Sequence, residues 1–376
     1  MFEKRKVGCR QKNTQQEYIE TEKKRIIQLF EESCLKEIQV PSLLDASELL
    51  DLYGEDLRLR AYTTSDPVVG EQVLRPDFTL PILLYYLETE KREAKYFYCG
   101  NIWRRQKFSS IIPREQLQIG YEFFEKSGNE KVVRDVEAYL LAAKVLNKYR
   151  VKAVTGDIQI LTSVINQLDT SEYKKNALMR HIWRPTRFKK LLEIFSDNVS
   201  NTHRNLFVDG FSKSAVEHKI DREGPIFGIR TKRDIVERTE LLNNELFKNP
   251  IKKIDKLFVE NVQKIHTSLS EASKELKSIS RNAEEYKLAI ENLDQRIDLL
   301  AEKNMKVEHI DFIATYGMTT LEYYDGFVFG FQGKNKNLPP VAQGGRYDGL
   351  CCSLAKNKKT IGAIGSMIRL DFLHKV

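Results

Sequence analysis

Along residues 15–35 the apolar groups Tyr18, Ile26, Ile27, Leu29 and Phe30 recur at helical spacing after a basic start, which predicts an amphipathic helix. Glu37-Ile38-Gln39-Val40-Pro41 then reads as a short strand closed by proline. The clearest pattern comes later. From Gln116 to Phe123, strict alternation sets Leu117, Ile119, Tyr121 and Phe123 on one face of a strand and Gln116, Gln118, Gly120 and Glu122 on the other. The first face packs. The second offers two amides, a carboxylate and a gap at Gly120, which suits the floor of a polar pocket. Residues 95–104 are aromatic and rich in strand formers, and residues 105–113 are basic, polar and proline-ended, so the two strands are expected to form an antiparallel hairpin.

Beyond the hairpin, Val132, Val133, Val136, Tyr139, Leu140 and Val145 mark one side of a helix over 129–149. Residues 155–303 read as overwhelmingly helical, punctuated near Pro185, Ser200-Asn201 and Gly224-Pro225. The charged run over 268–303 has no continuous heptad and predicts a solvated helical layer without chemistry of its own. Strand character returns at 308–312 and again over 321–331. A loop containing Gly344-Gly345-Arg346-Tyr347-Asp348 follows, and then a glycine-rich approach, 361–367, to a helix bearing Arg369. The order predicts an α+β chain in which an antiparallel sheet is flanked by helices and a large helical section, about 155–305, interrupts it.

Composition narrows the classes. The 376 residues suit one large domain or two to three ordinary ones, and 30% of them are charged. Mean hydropathy is -0.45. No run of about eighteen apolar residues could span a bilayer, and Met1-Phe2-Glu3-Lys4-Arg5-Lys6 lacks the apolar core of a signal peptide. Five cysteines without regular spacing point to the reducing cytoplasm, and the adjacent Cys351-Cys352 have no CxxC partner for zinc. A formal charge of +8 permits a nucleic-acid partner, but the lysines are dispersed among acids instead of forming a stripe.

The hairpin with Arg104 at the end of its first strand resembles motif 2 of the class II aminoacyl-tRNA synthetases, in which that arginine holds the α-phosphate of ATP. The helix, strand and proline at the start are similar to motif 1, the dimer interface of that family. Arg75-Pro76-Asp77-Phe78-Thr79 narrows the resemblance to histidyl-tRNA synthetase and its paralogues. So do Leu321-Glu322-Tyr323-Tyr324 and Gly344-Gly345-Arg346-Tyr347-Asp348, which are similar to that enzyme's two histidine-specific motifs. Residues 361–370 resemble motif 3, with Arg369 at the ATP arginine.

The resemblance implies a histidine pocket formed by Asp77, Gln118, Glu122, Tyr323 and Tyr324, and a vestigial ATP site at Arg104, Arg346 and Arg369. The alternatives are structural: Glu122 pairing with a nearby arginine, and Arg369 salt-bridged at a buried helix start. Several positions depart from the synthetases. Gln106 and Ile368 replace glutamates, and Thr319 stands where the catalytic arginine of the enzyme belongs. The chain also ends shortly after Arg369, so the anticodon-binding domain is expected to be missing and transfer RNA is not an expected partner. A histidine pocket without its chemistry, together with Tyr53-Gly54-Glu55-Asp56-Leu57-Arg58 and the pattern over 228–238, resembles the regulatory subunit of ATP phosphoribosyltransferase. That family implies a non-catalytic, cofactor-free, cytoplasmic bacterial protein. The resemblance further implies a homodimer within a hetero-octamer, partnered by the short catalytic subunit and responsive to histidine. The rival reading is a truncated histidine-activating enzyme.

Overall fold

A computed structural model describes residues 2–46, 59–89, 93–107, 109–125, 130–196, 213–225, 231–247, 249–279, 284–318, 323–355 and 361–376. The described residues form the strands β1 (Lys36–Glu37), β2 (Leu43–Asp45), β3 (Tyr62–Asp66), β4 (Gly70–Leu74), β5 (Glu93–Trp103), β6 (Glu115–Glu125), β7 (Lys152–Asp157), β8 (His266–Ser268), β9 (Asp311–Ile313), β10 (Phe327–Gln332), β11 (Ala342–Arg346) and β12 (Gly362–Arg369). Nine form one sheet in the order β1-β5-β6-β12-β11-β10-β7-β9-β8, and β2-β4-β3 form a small second sheet. Among the strands of the described residues, the β1–β5 and β7–β9 pairs are parallel and the rest antiparallel. The α+β class and mostly antiparallel sheet read from the sequence are those observed.

The expected hairpin is present, with β5 and β6 paired over their full length from Glu93↔Glu125 to Trp103↔Glu115. Its apolar face packs as the alternation requires. Phe30 of the first helix (Phe2–Glu32) contacts Phe97 and meets Tyr121 edge-on. The Tyr121 hydroxyl donates to the Ala138 carbonyl in the helix Lys131–Leu146, which lies across the same face. Tyr139 of that helix contacts Phe327, Phe329 and Phe331, three alternate residues of β10.

Several elements differ from expectation. The first strand stops at Glu37 because Arg75 takes the Val40 and Pro41 carbonyls, at 2.6 and 3.1 Å, away from any ladder. Residues 152–157, the last three of which open the section read as helical, form β7, whose short polar sequence is held extended by pairing with β10. The ladder of β10 starts at Phe327 instead of residue 321, because the Asp325 amide bonds to the Arg346 carbonyl and its carboxylate accepts from Asp348 N at 3.1 Å. Gly344-Gly345-Arg346 belongs to a central strand, β11, instead of a loop, and the glycine-rich approach forms β12, which ends on Arg369, so this arginine closes a strand and the short helix starts at Leu370. Helices Leu269–Ser278 and Glu284–Glu302 make up the expected charged layer, although Leu276, Tyr286 and Leu293 bury one side of it.

Candidate functional site

The polar face of β6 opens into a cavity of about 210 Å3, bounded by β5, β6, β11, β12, the start of the helix Thr79–Glu88, and the segment before β10. Register decides which side chains meet there. In the β6–β12 ladder Glu122 lies opposite Gly365 and Gln118 opposite Arg369. A Cβ on Gly365 would fall 1.6 Å from Glu122 Oε2, so this position must be glycine for the carboxylate to stand where it does. The gap foreseen at Gly120 is filled: Tyr98 sits opposite it and would be 2.4 Å from a Cβ there.

Asp77, Gln118, Glu122, Tyr323 and Tyr324 all line this cavity. Glu122 is 1% exposed. Thr79 Oγ1 donates to its Oε1 at 2.8 Å and the Tyr347 hydroxyl to its Oε2 at 2.7 Å. No arginine or lysine pairs with it among the described residues, so burial, with the nearby charge of Asp77, pushes its carboxyl up to about 8 despite the two hydroxyl bonds. The Gln118 amide nitrogen has no hydrogen-bond partner among the described residues and belongs to the same wall. Tyr323 meets Tyr324 and Tyr347 edge-on, giving this end of the cavity an aromatic border.

The other end is cationic. Arg104 Nε donates to the Pro76 carbonyl at 2.7 Å; Arg369 donates to the Pro340 carbonyl and, at 3.0 Å, to Gln343 Oε1. Among the described residues neither arginine is paired with a carboxylate. Burial and the adjacent Arg104 charge bring the Arg369 guanidinium down to about 9. Two buried guanidiniums that repel one another while keeping donors in a cavity suit an anionic group. Arg60 and Gln106 line the same end.

Arg346 is not part of this cavity. Alternation along β11 puts Gln343 on the cavity side and Arg346 on the opposite face. There the Arg346 side chain is fully buried and donates to Asp135 Oδ1 at 2.7 Å, Asp348 Oδ1 at 2.9 Å and the Lys131 carbonyl at 2.8 Å. Asp135 also accepts from Arg296 at 2.9 Å, and Arg296 continues to Asp157. Thr319, Thr320, Leu321, Glu322, residues 53–58 and residues 228–230 lie outside the described residues.

Thr79, Tyr98 and Tyr347 were not singled out by the sequence analysis, although each lies within two residues of a recognised motif position or opposite one in the ladder. Gly365→Ala is expected to expel the Glu122 carboxylate from its two hydroxyl partners and to cost about 1–3 kcal/mol. Urea unfolding of the variant checks this; unchanged stability would mean that the β6–β12 pair yields instead.

The sequence family described as Histidyl-tRNA synthetase matches residues 12–209 and 207–370. A curated relative from Rhizobium etli (strain CFN 42), the "ATP phosphoribosyltransferase regulatory subunit", is 26% identical over 358 residues, which cover 91% of this chain and 93% of that one. The protein of the same description from Rhizobium rhizogenes is 27% identical over 349 residues, 89% of this chain and 91% of that one. Among solved structures, an ATP phosphoribosyltransferase regulatory subunit/histidyl-tRNA synthetase from Bacillus halodurans superposes with a TM-score of 0.66 at 18% identity, covering 96% of this chain and 78% of that one. A histidine–tRNA ligase subunit from Alicyclobacillus acidocaldarius gives 0.60 at 15% identity, covering 95% and 91%. The chain belongs to the histidyl-tRNA synthetase family, and within it resembles the regulatory subunits of ATP phosphoribosyltransferase.

Proposed function

We propose that this chain is a non-catalytic regulatory subunit of ATP phosphoribosyltransferase. It activates the short catalytic subunit at the first step of histidine biosynthesis, and histidine bound in the cavity reverses that activation. The observation that carries the reading is the charge separation within one cavity. Asp77 and Glu122 stand at one end and Arg104 and Arg369 at the other, which matches an amino acid's ammonium and carboxylate with a polar side chain between. The likeness to regulatory subunits of ATP phosphoribosyltransferase supports the assignment of the partner. Thr319 supports the absence of catalysis: threonine cannot neutralise charge on a reacting phosphate, and losing one such contact costs on the order of a hundredfold or more in rate.

Histidine can inhibit only by binding the low-activity arrangement more tightly than the active one. In the reading proposed, a homodimer of this chain joins catalytic subunits in a hetero-octamer in the cytoplasm, without a cofactor of its own. No helix among the described residues is long and apolar enough to cross a membrane.

The test is the rate of phosphoribosyl-ATP formation by the short catalytic subunit, with and without this chain and then with histidine. Stimulation that histidine suppresses is the expected result, and Glu122→Ala should keep the stimulation while losing most of the suppression. Absence of stimulation by a folded sample would overturn the reading. A second reading, a histidine-activating enzyme, is favoured by one observation: Arg104 and Arg369 still converge on the cavity. Histidine-dependent exchange of pyrophosphate into ATP separates the two.

A further inference from the structure

Glu122 is a buried acid surrounded by groups that can serve it in either protonation state. From the start of the helix Thr79–Glu88 and the turn before it, Thr79 and Asp77 face it; from β5, Tyr98 does. Tyr323 and Tyr324 approach from the segment before β10, and Tyr347 and Cys351 from the segment after β11. From β12 there is only the backbone of Gly365, and Tyr121 is its neighbour on its own strand. The surroundings are thus hydroxyls, one thiol and one other acid, with no lysine or arginine among the described residues facing it.

Its two partners, Thr79 Oγ1 and the Tyr347 hydroxyl, are hydroxyls at 2.8 and 2.7 Å. A hydroxyl donates to a carboxylate, or, turned about its C–O bond, accepts from a carboxylic acid. Glu122 therefore stays hydrogen-bonded on both sides of its titration without movement of a heavy atom. A cationic or N–H-donating ligand group, in contrast, gains far more from the carboxylate than from the acid.

We propose that this end of the cavity takes the nitrogen group of its ligand by proton exchange. Glu122 releases its carboxyl proton to solvent as the group arrives, and whichever of the Thr79 and Tyr347 hydroxyls had accepted that proton turns, so that both donate to the carboxylate that remains. The O–H bond of the acid breaks, the proton passes to the buffer, the ligand keeps its own N–H bonds, and no heavy-atom bond changes. Thr79 and Tyr347 are positioning residues. The inference rests on the amino-acid reading above. Burial supports it, since a carboxyl held up at about 8 is mostly protonated at neutral pH.

The experiment is titration calorimetry of the full chain with L-histidine at about pH 7, in phosphate and in Tris, buffers whose heats of ionisation differ widely. The expected result is a buffer-dependent heat equal to release of close to one proton per site. Glu122→Gln should bind more weakly and lose the buffer dependence. Tyr347→Phe should lose affinity about tenfold while keeping it, because the carboxylate loses one donor and the acid still gives up its proton. Equal heats in both buffers with measurable affinity would overturn proton exchange and leave the amino-acid reading standing. No binding by the folded native chain would overturn both. Because the buffer comparison uses the native chain, it decides the matter even if Tyr347→Phe fails to fold.

Discussion

Asp135→Ala should lose about 3–5 kcal/mol of stability, visible as a large drop in the urea midpoint, because it takes a carboxylate partner from two buried guanidiniums at once. Asp135 is wholly inaccessible and divides its oxygens between Arg346 Nε at 2.7 Å and Arg296 at 2.9 Å. Arg296 is itself 1% exposed and stacks over the Phe327 ring at 4.9 Å. After the substitution Arg346 retains Asp348 and Arg296 retains Asp157, so neither charge is left bare, but each loses a partner in a place water cannot reach. The network joins the helix Lys131–Leu146, β7, β11 and the helix Glu284–Glu302, so the whole sheet–helix contact is expected to loosen together. Asp135→Asn keeps an acceptor without the charge and should fall between parent and alanine variant. A loss below about 1 kcal/mol for the alanine variant would show that the two remaining carboxylates suffice.

Glu122→Gln is expected to gain stability relative to the parent as pH rises. The Glu122 carboxyl stands at about 8 instead of the ordinary 4.5, chiefly through burial, opposed by the Tyr347 and Thr79 bonds and reinforced by Asp77. Because the folded value lies above the unfolded one, the folded chain holds this proton more tightly. The associated stability is fully present below 4.5 and is lost as pH climbs through about 8. A shift of that size corresponds to roughly 4–5 kcal/mol across the window. At about pH 5 the neutral amide resembles the neutral acid, apart from an NH2 group that cannot accept from a hydroxyl; at about pH 8.5 it avoids the cost of a buried charge. Denaturant unfolding of both proteins across this range measures the difference. A gap between them that stays flat with pH would sink the argument.

One wall of the cavity could be read along the chain because it is built on one strand. Gln116, Gln118 and Glu122 stand two and then four residues apart, and a period of two places them on one wall whatever their neighbours prove to be. Arg104 likewise follows from its position at the end of β5, and the α+β class from the order of elements. Arg346 shows where the same logic fails. It shares a motif with Gly344 and Tyr347, yet alternation turns it to the opposite face, where Asp135, far away in sequence, takes its charge. β7 escaped recognition because six residues, Lys152–Asp157, carry too little apolar pattern to announce a strand, and only β10 beside it makes them one.

What the sequence determined by itself was local and periodic: the helix ahead of the sheet, the β5–β6 hairpin, and the wall of amides and carboxylate on β6. Those features follow from residues within one element, whose spacing sets which face they share. Tertiary structure alone decided the chemistry of that wall. Glu122 becomes a weak acid because Tyr98, Tyr347, Cys351 and the bare backbone of Gly365 exclude water and bring no cation, and each of them comes from another element. Desolvation and charge pairing are sums over neighbours in space, and the order of residues along a chain does not contain that sum.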